Sequence, residues 1–130
     1  MKEKHGFYNE TVILSVPKTG DIRTLLNELI YRTKDGKVIK VPTGIKTDLG
    51  SIPRALQNIF PKDGKAMFGY ILHDYLYQTG ILTKEKSDAL LEEAMEALGV
   101  KWWRRKCVIA GLKVGGWLAW NQHRRRDKDA

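Results

Sequence analysis

His73 and Asp74 stand side by side in His73-Asp74-Tyr75-Leu76-Tyr77, inside a run whose apolar residues Phe68, Ile71, Leu72, Tyr75 and Leu76 recur at helical spacing. An imidazole beside a carboxylate can hold a divalent metal, or the carboxylate can orient another histidine or an arginine. Tyr70, His73, Asp74 and Tyr77 follow one another at intervals of three and four or less, which places them on one face of that helix. The same dipeptide can also be structural, a histidine donating to a buried carboxylate.

A second polar group precedes it. Asp48, Ser51 and Arg54 lie in Asp48-Leu49-Gly50-Ser51-Ile52-Pro53-Arg54, directly after a strand end, where loops held by a rigid sheet tend to carry function. Asp48, Ser51, Arg54, His73 and Asp74 are therefore the candidate catalytic residues, expected to converge at the seam between a sheet and the central helix. Three arrangements are open. A single divalent metal bound by Asp48, His73 and Asp74, with a water as fourth ligand, would generate hydroxide near neutral pH, and this one is preferred. Ser51 as nucleophile with His73 as base and an aspartate as orienter is the second, although no nucleophile-elbow motif accompanies it. In the third, Asp48 activates a water and Arg54 clamps an anionic group. The structural alternative has Asp48 and Ser51 capping the turn and Arg54 pairing with Asp74. Asp88, early in a helix, is a further candidate, for which a favourable interaction with the helix dipole is the simpler role.

Positioning these groups requires a sheet followed by helices. Thr11 to Val16 is β-branched and ends at Pro17, as a strand would. Leu26 to Arg32 and Val38 to Val41 flank Lys34-Asp35-Gly36-Lys37, and Asp-Gly between such runs predicts a hairpin. Ile45 to Thr47 resumes the ladder briefly. Ser51 and Pro53 then suit a helix entrance, with a short helical piece around Leu56, Ile59 and Phe60. Helices follow from about Ala66 to Gln78, stopped by Gly80; from Thr83 as cap to about Leu98, with Ala89, Leu90, Ala94, Met95 and Leu98 as the inward stripe; and from about Lys101 to His123. The expected fold is α+β: a small N-terminal antiparallel sheet or hairpin packed against three or four C-terminal helices, in a single domain 1–130 with a basic tail 121–130.

A chain of 130 residues, 42% hydrophobic and 29% charged, has ordinary globular composition, which argues against wholesale disorder. Cys107 has no internal partner for a disulfide and is expected to be a small buried thiol. The N-terminus shows no signal-peptide pattern, and Cys107 to Trp120, the most apolar stretch, is too short for a membrane span and contains Lys113. Lys and Arg outnumber Asp and Glu by 23 to 15. Arg104-Arg105-Lys106 and His123-Arg124-Arg125-Arg126 suit an anionic partner: nucleic acid, an anionic polymer of the cell wall, or an acidic protein surface. The alternative is a solvated basic face. Trp117 and Trp120, three apart, suit a core or a protein interface better than base or sugar stacking.

Val41-Pro42-Thr43-Gly44-Ile45-Lys46-Thr47-Asp48-Leu49-Gly50-Ser51-Ile52-Pro53-Arg54 followed by His73-Asp74-Tyr75-Leu76-Tyr77 resembles the domain of unknown function 1353 family of small phage and prophage proteins. The family pattern is a strand ending VPxGFxTDxASxPR, then HDxLY, then a helix with an alanine-aspartate pair. Here Gly50 replaces the usual alanine, Ile45 the aromatic, and Ser87 the alanine before Asp88. The resemblance spans about Leu26 to Trp120. It implies phage or prophage origin and a recurring Asp, Ser, Arg, His, Asp set, and it names no activity. The functional expectation is a virion-associated hydrolase of cell wall or another anionic polymer, made in the host cytoplasm and assembled into the virion. The alternatives are a non-catalytic head or tail assembly protein among other phage structural proteins, and a nucleic-acid-binding module using the basic C-terminal helix.

Overall fold

Asp35-Gly36 sets the centre of the sheet. In the computed structural model, which describes residues 5–19, 22–47 and 66–129, Gly36 takes φ 88°, a value that favours glycine. The turn is closed by Gly36 N–H to Thr33 O (3.1 Å) and Lys37 N–H to Thr33 Oγ1 (3.0 Å). Strands β3 (Leu29–Arg32) and β4 (Val38–Val41) pair antiparallel from Leu29 opposite Val41 to Arg32 opposite Val38. Leu29 and Tyr31 point into the core while Ile30 and Arg32 are only half-buried, the alternation expected of a sheet covered on one face. Strand β1 (Gly6–Phe7) adds to the other edge of β3. A second, two-stranded sheet joins β2 (Arg23–Thr24) to β5 (Lys46–Thr47).

The expected strand over Thr11 to Val16 is reduced to one bridge, Leu14 opposite Leu25. Side chains explain why it stops there. Asn27 Oδ1 takes the Ile13 N–H at 2.7 Å and Ser15 Oγ takes the Thr24 N–H at 3.1 Å, so polar side chains occupy positions that a ladder would give to backbone carbonyls.

Three helices follow: α1 (Ala66–Thr79), α2 (Lys84–Ala97) and α3 (Trp102–Asp129). This is an α+β fold, antiparallel strands in two small sheets and then helices. The α1 helix ends at Gly80, φ 62°, and α2 begins at Thr83, whose side chain accepts the Lys86 N–H at 3.2 Å. The main core joins Leu25, Leu29, Tyr31 and Val41 of the sheets to Ile71, Leu72 and Leu76 of α1 and Ala94 of α2. A second cluster, Tyr70, Leu91 and Met95, receives Val108 and Leu112 of α3. Tyr31 donates to Glu93 Oε1 at 2.6 Å, and the same oxygen accepts Lys34 N–H at 2.9 Å, which fastens the hairpin to α2.

Several helical expectations are corrected. Ala89 is exposed and Leu91 takes its place in the stripe of α2. Cys107 is exposed on α3, where the face toward α2 is carried by Val108 and Leu112 instead. The segment after His123 is no free tail but a continuation of α3, secured where Arg124 Nη2 donates to Tyr77 O at 2.8 Å and Gln78 O at 3.1 Å. No helix among the described residues is long and apolar enough to cross a membrane.

Candidate functional site

Helix α1 carries His73 and Asp74 on different sides, because successive helical residues are turned by about 100°. Asp74 lies toward the sheet and accepts a hydrogen bond from the Thr47 hydroxyl at the end of β5. His73 lies in the opposite direction, between α1 and α2, buried to 5% exposure, with Nε2 2.8 Å from Asp88 Oδ1. The two neighbours thus take different partners. Asp48, Ser51 and Arg54, and the short helical piece expected near Leu56, lie outside the described residues. Among the described residues no three His, Cys, Asp or Glu side chains gather closely enough to hold a metal ion.

The centre that the described residues do build is organised around Asp88. Its Oδ1 accepts the Tyr77 hydroxyl at 2.6 Å as well as His73, and its Oδ2 accepts the Lys84 ammonium at 2.8 Å. All four residues are buried. Helical geometry makes the set possible: His73 and Tyr77 are one turn apart on α1, Lys84 and Asp88 one turn apart on α2. Helix α3 closes it. Lys84 donates a second bond to Leu112 O at 3.1 Å and sits 4.9 Å over the Trp117 ring, while Tyr77 meets Trp120 edge-on at 5.2 Å. Gly116 permits that approach, since a Cβ there would lie 3.0 Å from the Tyr77 hydroxyl oxygen and 3.1 Å from Lys84 Cε.

Burial alone would push the Asp88 carboxyl up, but the hydrogen bonds from His73, Lys84 and Tyr77 outweigh it and hold the group below the usual carboxylate range. An ionised carboxylate only accepts, so Nε2 of His73 carries the proton in this contact. Burial, then the hydrogen bond to Asp88 and its charge, push the Tyr77 phenol far up, which keeps it a donor. The cluster is matched internally: one buried carboxylate, three donors, one ammonium. Tyr70, on the same face of α1, has its phenol pushed up to about 12 by burial.

Asp88 appeared in the sequence as a dipole partner and Lys84 did not appear at all. The signal was present as two polar pairs, His73/Tyr77 and Lys84/Asp88, each spaced by four on consecutive helices.

The description of the protein family matching residues 23–112 reads "Protein of unknown function (DUF1353)". The chain belongs to this family. The DUF1353 match includes His73, Tyr77, Lys84, Asp88 and the Leu112 carbonyl, so every hydrogen-bonded member of the cluster lies within the family's span, as do Asp74 and Thr47. Trp117, Trp120 and Arg124, which pack over it, lie beyond that span. Comparison with curated proteins and with solved structures gives no match.

Proposed function

We propose that the chain is a non-catalytic component of a phage or prophage assembly, in which the polar cluster serves to lock three helices into one rigid body. The observation that carries this reading is the Asp88 carboxylate, buried and supplied with three donors from its own and the neighbouring helix. A catalytic base must reach a substrate proton, and a catalytic carboxylate must reach a substrate or metal. His73 Nε2 and both Asp88 oxygens instead have protein partners in the interior. The family resemblance in TDxxSxPR and HDxLY supplies the phage context.

A hydrolase remains the second reading, favoured by a different group. Asp74 is only half-buried and holds Thr47, the residue immediately before Asp48, so it faces the point where the other expected site residues leave the sheet. The divalent metal expected at Asp48, His73 and Asp74 belongs to this reading.

His73→Ala and Asp74→Asn, compared side by side, separate the two. The assembly reading expects His73→Ala to lower the unfolding midpoint markedly, and expects no turnover of purified cell-wall polymer by the unmodified chain, with or without added Mg²⁺, Mn²⁺ or Zn²⁺. Turnover that disappears in Asp74→Asn while the melting temperature is retained would overturn it in favour of the hydrolase.

A further inference from the structure

Helix α3 is apolar on two sides. Val108, Leu112 and Gly116 face α1 and α2. At about 100° per residue, Trp103, Cys107, Ala110, Gly111, Val114 and Leu118 fall within about 60° of one line on the opposite side. All six are exposed, Trp103 at 41%, Leu118 at 69% and Val114 at 88%. No charged residue interrupts this strip, which runs about 22 Å along the axis. A soluble helix that is apolar on both faces is normally covered on both. Gly111 supports the same view, because a glycine in mid-helix costs about 1 kcal/mol relative to alanine and nothing within 4 Å of its Cβ position in this chain requires it.

We propose that the strip pairs with the same strip of a second copy, the two α3 helices running antiparallel about a two-fold axis between Ala110 and Gly111. A two-fold interface must be self-complementary, and this one is. Side chains run from large to small from either end, Trp103, Cys107, Ala110 from one and Leu118, Val114, Gly111 from the other. Antiparallel pairing sets Trp103 opposite Leu118, Cys107 opposite Val114 and Ala110 opposite Gly111, all in a single register. Parallel pairing would stack Trp103 on Trp103 and leave Gly111 facing Gly111.

Charge fits the same register. Lys106 is held by Glu92 at 2.7 Å, and Lys113 of the second copy arrives on that flank within about 3 Å along the axis, so Glu92 lies between two cations. Exposed Arg125 and Arg126 project past the second copy's Trp102, toward the end of α2 that carries Glu93 and Glu96. The other occupants suit the strip less well. Nucleic acid would want cations along the middle of the face, which has none. A bilayer would gain little from Cys107, Ala110 and Gly111, since interfacial binding scales with buried apolar area.

The full chain should sediment at a concentration-dependent mass approaching twice 14.9 kDa. Val114→Glu and Leu118→Glu should return it to the monomer mass with an unchanged circular dichroism spectrum, both side chains being exposed. The register is read by disulfide trapping under mild oxidation. Cys107 and its copy lie about 10 Å apart along the axis and should not join, whereas Ala110→Cys in a Cys107→Ser background comes within about 2 Å along it and should cross-link. A monomer at the highest attainable concentration, or association unaffected by Val114→Glu, overturns the proposal. So does a monomer that cosediments with phosphatidylserine vesicles or retards an oligonucleotide at low salt, which would give the strip to lipid or nucleic acid. Native Cys107 cross-linking in preference to the Ala110→Cys variant would reject the antiparallel register.

Discussion

Asp88→Asn isolates the charge of the central carboxylate while keeping its shape. In the folded chain this change leaves the Lys84 ammonium, 5% exposed, with only the Leu112 carbonyl and the Trp117 ring for company. Apolar packing is untouched, so the loss is electrostatic. Removing one partner of a buried ion pair costs about 3–5 kcal/mol, because the remaining charge is left uncompensated. Against a total stability of about 5–15 kcal/mol for a domain of ordinary size, that is a large fraction. Urea unfolding followed by circular dichroism measures it directly. Lys84→Met supplies the control: with the ammonium gone, Asp88→Asn should cost much less, and the double-mutant cycle should return a coupling of about 2 kcal/mol or more. A single-variant loss below about 1 kcal/mol, or a coupling near zero, would refute the claim that this carboxylate and ammonium hold the helices together.

Acid should act through the same residue. The folded carboxyl of Asp88 lies below its unfolded value, so its stabilisation is fully present above the ordinary aspartate range near pH 4 and is lost as pH falls through the folded value; the melting temperature plotted against pH should fall there, and the fall should be shallower in Asp88→Asn. Gly80→Ala places a side chain at φ 62° and drives its Cβ into the Arg124 guanidinium, which should cost about 1–3 kcal/mol in urea. Adjacent glycines of α3 should respond with opposite signs. Gly115→Ala, with open space around it, should stabilise by about 0.5–1 kcal/mol. Gly116→Ala should destabilise by about 1 kcal/mol or more, because Tyr77 and Lys84 are pinned by Asp88 and cannot retreat.

The elements legible in the sequence were those specified by local chemistry. Asp35-Gly36 dictated the hairpin, Thr83 capped α2 and Gly80 stopped α1, each within a few residues of the feature it determines. Strands β1 and β2 are two residues long and owe their existence to partners distant in the chain, Phe7 to Tyr31 and Arg23 to Thr47, so no local pattern marks them. The cluster was half legible for a related reason. His73 stood out, but adjacency to Asp74 in sequence is divergence on a helix, and its real partner lies fifteen residues on. Lys84 was invisible because a lysine at the start of a helix is ordinarily solvated; only the arrival of α3, carrying the Leu112 carbonyl and Gly116, buries it.

Because one carboxylate receives groups from α1 and α2, and its lysine partner reaches the backbone of α3, no single helix can peel away without leaving a charge or a donor stranded in the interior. Amide protons of the turns around Tyr77, Asp88 and Leu112 should therefore exchange with deuterium as one cooperative unit, with a common opening free energy. The far half of α3 should behave differently, as a separate and faster-exchanging population.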